Sequence, residues 1–219
     1  MQLHLELAGG LTGDMFLAAV LDAFPQFEAR VAASIDAVEE ACPVVRYFDV
    51  HTGRDRLSHL NFRAVSNRLS SASMDQAVRA HSKNLLLLLA EAESAAHGSV
   101  AATMESHEIG AWDAVADIVG AAALIDALNT ARWSASPVLV PEGMTPTGTA
   151  ILRYLCPTGG CAAPTNHALV GSGTGFPSRS PCPRNPVRVL CFEKGADLWR
   201  KWQERAAVAG LRPKYSRCN

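Results

Sequence analysis

Residues 3–7 read Leu3-His4-Leu5-Glu6-Leu7, and residues 9–17 read Gly9-Gly10-Leu11-Thr12-Gly13-Asp14-Met15-Phe16-Leu17. The first five alternate apolar and polar, the period of a half-buried strand. The glycines break that strand. From Thr12 onward, Met15, Leu17, Ala18 and Leu21 recur at helical spacing, with Thr12 placed to cap the helix start. A strand that turns through glycines into a helix opens an alternating pattern. It predicts an α/β (or α+β) fold, with a mixed sheet flanked by helices in a single compact domain.

The pattern continues outward from that start. Pro25 interrupts the first helix, and a second is expected over 28–41, stopped by Pro43. Residues 44–51 are rich in β-formers and read as a strand. A helix is expected near 60–69 and a long one over 74–96, whose Leu85–Leu89 run is apolar all round and predicts burial between other elements. Residues 112–128 carry Val115, Ile118, Val119, Ala122 and Ile125 at three- and four-residue steps, the stripe of a helix with a buried face. A strand over 134–140, a short helix from Thr147 to Leu155, a loop-rich region over 156–185, a strand over 187–192 and a last helix over 197–209 complete the reading. The basic tail beyond Trp199 reads as a solvated, frayed end. No internal repeat is present.

Composition narrows the function. The chain has 219 residues, 48% hydrophobic and 19% charged, the mix of a soluble globular protein. Twenty basic against twenty-one acidic residues give a net charge of −1, which speaks against a nucleic-acid partner. No apolar run approaches the roughly 18 residues of a membrane span. The first residues lack the basic-then-apolar pattern of an export signal, so a cytoplasmic location is expected. The six cysteines, Cys42, Cys156, Cys161, Cys182, Cys191 and Cys218, are then expected to be reduced, and without a CxxC they do not predict a structural zinc site.

Three stretches hold residues suited to chemistry. The turn Gly9–Gly13 offers backbone N–H groups and a helix N-terminus to an anion, yet it is neither a P-loop nor GxGxxG. Asp14 would repel a bare phosphate, and a divalent cation between the two would reconcile them. The alternative is a tight turn with Asp14 favouring the helix start. The second stretch runs from His107-Glu108 through Gly110 to Asp113 and Asp117, the two aspartates sharing a helix face. One imidazole and three carboxylates suit a metal or an acid–base pair; the alternative is a capped, solvated helix start. The third is Thr145-Pro146-Thr147-Gly148, an anion site or an N-cap. The remaining histidines, His4, His51, His59, His81, His97 and His167, form no HxH or HxxxH pair.

Taken together, these stretches resemble a known family. Gly10-Leu11-Thr12-Gly13-Asp14-Met15-Phe16-Leu17 is similar to the glycine-aspartate-methionine signature of the LarC-type nickel insertion proteins. Ala90-Glu91-Ala92-Glu93, His97-Gly98, His107-Glu108-Ile109-Gly110-Ala111, Asp113 and Asp117-Ile118-Val119-Gly120-Ala121-Ala122 follow its central motif in order and spacing. Thr145-Pro146-Thr147-Gly148, Gly171-Ser172-Gly173-Thr174-Gly175 and Asn185-Pro186-Val187-Arg188-Val189-Leu190 resemble its later motifs.

The resemblance implies a CTP-dependent cyclometallase of the lyase class. Such a protein inserts Ni2+ into pyridinium-3,5-bisthiocarboxylic acid mononucleotide, forming the nickel-pincer cofactor used by lactate racemase and its relatives. In that frame His107 and Glu108 are the catalytic candidates. Gly10, Thr12, Gly13, Asp14, Thr145 and Thr147 would hold the precursor. His107, Asp113, Asp117 and Asp14 would bind Ni2+, or Mg2+ or Mn2+ accompanying CTP. The alternative within the family is a non-catalytic nickel-binding or scaffold protein. Residues 1–193 are expected to form the N-terminal-type domain of the family, and 194–219 a helix and tail.

The sequence also departs from the family. Its histidine-rich stretch is reduced here to His51, His59 and His81. Seven residues separate Pro137 from Thr145 where the family has a longer segment, and Trp112 stands where a smaller residue is expected. The family's C-terminal CTP-binding domain is expected to be missing after Leu190, as in a compact paralogue, a half that works with a separate partner chain, or a decayed enzyme.

Overall fold

The computed structural model describes residues 1–40, 62–97, 112–156, 162–177 and 185–195. The strand expected over 44–51, the helix over 197–209, and His51, His59, His107, Glu108, Cys42, Cys161, Cys182 and Cys218 lie outside them.

Among the described residues four strands form one mixed sheet: β1 (Gln2–Glu6), β2 (Arg132–Ala135), β3 (His167–Gly175) and β4 (Val187–Lys194), in the order β2-β1-β4-β3. β1 and β2 run parallel, with Leu3 opposite Trp133. β4 is antiparallel to β1, with Leu3 opposite Cys191, and also to β3. Parallel neighbours require a crossover. Here the crossover carries α1 (Gly13–Ala23), α2 (Glu28–Glu40), α3 (Phe62–Ser71), α4 (Gln76–His97) and α5 (Trp112–Ala127), and α6 (Pro146–Leu155) follows β2.

The helices lie where their apolar stripes demand. Leu3, Leu5, Met15, Phe16, Val119 and Leu124 are fully buried. Each such side chain stabilises the fold by roughly 1.5–3 kcal/mol relative to exposure. Phe16 of α1 packs on Trp133 of β2 with ring centroids 5.8 Å apart. The central helix is α5, buried continuously from Ile118 to Ile125 and packed against α1, α2, α4 and α6. Its burial is wider than the single stripe that the spacing predicts. Arg79 of α4 donates to the carbonyls of Leu69 (3.1 Å) and Ala72 (2.8 Å), which satisfies the open end of α3.

Three expectations need correction. Leu87 in the Leu85–Leu89 run is 41% exposed, so α4 keeps a solvent-facing side there. The strand expected over 134–140 spans Arg132–Ala135 instead. Beyond Ala135 the ladder gives way, as Ser136 Oγ accepts the Leu7 N–H and Pro137 has no N–H to donate. The region expected to be loop-rich over 156–185 contains β3. That strand is glycine-rich because α1 lies directly on it: a Cβ at Gly173 would meet the Ala19 carbonyl oxygen at 2.1 Å, and one at Gly175 the Met15 carbonyl oxygen at 2.0 Å.

Candidate functional site

Because β1 and β2 are parallel, the chain leaves both at the same edge of the sheet, the place where α/β folds bind ligands. The connection after β1 and the one after β2 are stitched together there. Ser136 N–H donates to the Leu5 carbonyl at 2.8 Å, Leu7 N–H to Ser136 Oγ at 2.9 Å, and Thr145 N–H to the Leu11 carbonyl at 3.1 Å. Each connection then enters a helix through a threonine cap. Thr12 Oγ1 accepts from Met15 N–H at 3.3 Å, and Thr145 Oγ1 accepts from Gly148 N–H at 3.1 Å. The N-termini of α1 and α6 therefore lie against each other, and the partial positive ends of both helices meet at one edge.

Close backbone contacts hold this arrangement. Gly10 has φ +94°, a conformation that disfavours any side chain, and a Cβ there would stand 2.3 Å from the Gly143 carbonyl carbon. At Gly148, in the first turn of α6, a Cβ would meet the Leu11 carbonyl oxygen at 1.9 Å. At Gly13, the first residue of α1, it would meet Asp117 Oδ2 at 2.2 Å. The Asp117 carboxylate of α5 thus rests on the bare Cα of Gly13, beside the two capped helix starts.

The sequence candidates are placed as follows. Gly10, Thr12, Gly13, Asp14, Asp117 and Thr145 form one contiguous region. Thr12 also donates its hydroxyl hydrogen to Asp14 Oδ1, so its oxygen is engaged on both sides and Asp14 is held at the helix start. Thr147 is buried in the first turn of α6. Asp113 is exposed one turn ahead of Asp117 on the same face of α5. His107 and Glu108 lie outside the described residues. Among the described residues no group of three or more His, Cys, Asp or Glu is arranged to hold a metal ion.

An open cavity of about 290 Å³ adjoins the glycine turn, lined by Gly9, Val140, Glu142, Gly143 and Asn185. Sequence reasoning passed over Glu142 and Gly143, which belong to no motif; Asn185 stood in a quoted motif without a role. At the same edge Arg188 of β4 pairs with Glu6 of β1 at 3.1 Å. His4, inside the sheet on β1, has Nδ1 2.8 Å from Ser134 Oγ, and burial lowers its pKa, with Glu6 opposing. It supports the sheet away from the cavity. Cys156 and Cys191 are buried, and burial pushes the Cys191 thiol up to about 11.

The family described as "Nickel insertion protein" matches residues 3–144. A "Putative nickel insertion protein" of Pelobacter propionicus is 29% identical over 168 residues, covering 71% of this chain and 43% of that protein. The "Pyridinium-3,5-bisthiocarboxylic acid mononucleotide nickel insertion protein" of a Nocardioides species is 30% identical over 158 residues, covering 67% of this chain and 40% of its own length. The chain thus spans about two-fifths of the length of these curated relatives. No solved structure matches it. Among the described residues, no helix is long and apolar enough to cross a membrane.

Proposed function

This chain belongs to the nickel insertion protein family, and we propose that its sheet edge holds a pyridinium mononucleotide beside Ni2+ during nickel insertion. The observation that carries this reading is the Asp117 carboxylate resting on Gly13 next to two threonine-capped helix N-termini. Backbone N–H groups at those helix starts suit a phosphate. Asp14 and Asp117 suit a cation and disfavour a bare phosphate. A substrate that is anionic at one end and gathers a divalent metal at the other satisfies both demands.

In the proposed reaction, the electron pair of the ring C–H bond between the two thiocarboxylate arms becomes a nickel–carbon bond. The proton leaves to a base, and the thiocarboxylate sulfurs supply soft donors to the metal. His107 and Glu108 are proposed as the base and as a group that delivers nickel. Asp14, Asp113 and Asp117 are proposed to hold Ni2+, or Mg2+ or Mn2+ with CTP. Gly10, Thr12, Gly13, Thr145 and Thr147 are proposed to shape the phosphate seat, through backbone N–H groups more than through the threonine oxygens already used as caps.

The test is incubation of the full chain with Ni2+, CTP and the mononucleotide, followed by mass analysis. The expected result is a product heavier by one nickel less the displaced protons, lost in Asp117→Asn. Equal product from that variant would overturn the assignment to this edge. A second reading within the same family is a non-catalytic nickel-binding scaffold. It predicts bound nickel with the precursor unchanged, and a nickel adduct made by this chain alone rejects it.

A further inference from the structure

We infer that the cavity between Gly9, Glu142 and Asn185 takes the ribose of the mononucleotide, with the Glu142 carboxylate accepting hydrogen bonds from its vicinal hydroxyls. The inference rests on the mononucleotide reading above and assigns one part of that ligand to one part of the edge.

Position is the first argument. Gly143, in the cavity wall, packs on Gly9 and Gly10, and Thr145, the cap of α6, follows it by two residues. The cavity and the two helix starts are therefore neighbours along one edge. In a mononucleotide the phosphate is one methylene from the sugar ring, so a phosphate at the helix starts brings its ribose here.

The wall itself is the second. A Cβ on Gly143 would stand 1.9 Å from the Gly9 carbonyl oxygen, and one on Gly9 2.6 Å from the Asn185 carbonyl oxygen. Three chain segments meet backbone to backbone, which leaves Val140, Glu142 and Asn185 to furnish the side chains of the lining. The short 3-10 turn Pro141–Gly143, closed by Gly143 N–H to the Val140 carbonyl at 3.0 Å, carries Glu142 on its outer side, where it is exposed. A volume of about 290 Å³ falls just below the roughly 300–1,000 Å³ of pockets that take a whole ligand, and so suits one portion of a nucleotide.

Chemistry is the third and decides which portion. The phosphate and the two thiocarboxylates are anionic, and Glu142 repels both. The ribose is neutral and carries adjacent hydroxyl donors, which a carboxylate accepts pairwise, as acidic residues do for ribose in dinucleotide-binding folds. Val140 offers an apolar surface to the sugar C–H groups, and the Asn185 amide can both donate and accept.

The test uses calorimetric titration of the full chain, with Mg2+ present, with nicotinic acid mononucleotide and with its 2′-deoxy counterpart. Wild type is expected to bind the ribose form about tenfold more tightly, the worth of one charge-assisted hydrogen bond. Glu142→Ala is expected to bind both forms alike, near the wild-type affinity for the deoxy form. Glu142 is exposed, so the variant keeps its circular dichroism spectrum, checked alongside. If wild type binds both forms equally, or if Glu142→Ala weakens both by the same factor, the ribose assignment falls while the mononucleotide reading stands. If wild type binds neither form, the mononucleotide reading falls and takes this inference with it.

Discussion

Replacing Gly13 by alanine tests the contact on which the site depends. The added methyl would stand 2.2 Å from Asp117 Oδ2, 2.5 Å from Cγ and 2.6 Å from Cβ. A rotamer change moves the first two atoms but not Cβ, which is fixed to the backbone of α5. That helix is buried from Ile118 to Ile125 and has no room to retreat, so α1 must lift. Overpacking of this kind costs about 1–3 kcal/mol. Alanine's helix propensity, worth about 1 kcal/mol over glycine in a helix interior, offsets less at the first helical residue. For a chain of this size the melting temperature falls by about 2–4 °C per kcal/mol. The assay is urea unfolding of wild type, Gly13→Ala, Asp117→Gly and the double variant. Asp117→Gly removes the obstructing Cβ and costs only about 0.3 kcal/mol by itself in helix propensity, since Asp ranks just above glycine. The double variant should be at least about 1 kcal/mol more stable than the sum of the single changes predicts. Additivity within about 0.5 kcal/mol would refute the claim that these two positions touch.

Other consequences are equally direct. Burial depresses the His4 pKa below its ordinary value of about 6.5, so as pH falls through that value the unfolded chain takes up a proton that the fold resists. Stability should drop on acidification below about pH 6.5, by at most about 1.4 kcal/mol per pH unit for this group, and His4→Gln should flatten that part of the urea-midpoint profile. Cys191, pushed up to about 11 from a reference of 9.0, should react with iodoacetamide at pH 8 only after unfolding, as should buried Cys156; peptide mass mapping reads both. Gly120→Ala meets the Leu17 methyl groups at 3.0 Å and Val31 Cγ1 at 3.3 Å, flexible ends that can yield. Against a propensity gain of about 1 kcal/mol, it should leave the melting temperature within a few degrees of wild type.

Much of the fold was legible because its causes are local. Thr12 caps α1 as its position before Met15 suggests, Pro25 ends that helix, and the three- and four-residue steps from Val115 onward mark α5. The resemblance to nickel insertion proteins was carried by motifs whose order survives in the chain, and the family match bears it out. β3 was hidden for an equally physical reason. Its Gly171-Ser172-Gly173-Thr174-Gly175 run lacks the alternation of a half-buried strand and has the composition of a loop. Gly173 and Gly175 answer to the backbone of α1, which no local pattern encodes.

The candidate site divides in the same way. Residue types and neighbour spacings alone marked the glycine turn, Asp14, the two aspartates of α5 and the Thr-Pro-Thr-Gly motif, since caps, turns and helix faces act over a few residues. That Gly13 meets Asp117, that Leu11 binds Thr145, and that Gly9 and Gly143 close a cavity with Asn185 was decided only by the parallel pairing of β1 with β2 and the return of β4 beside them. Contacts between residues so far apart in the chain arise when helices and strands bury their apolar faces against one another. The sequence specifies those faces, whereas their meeting at a shared edge is a property of the packed whole.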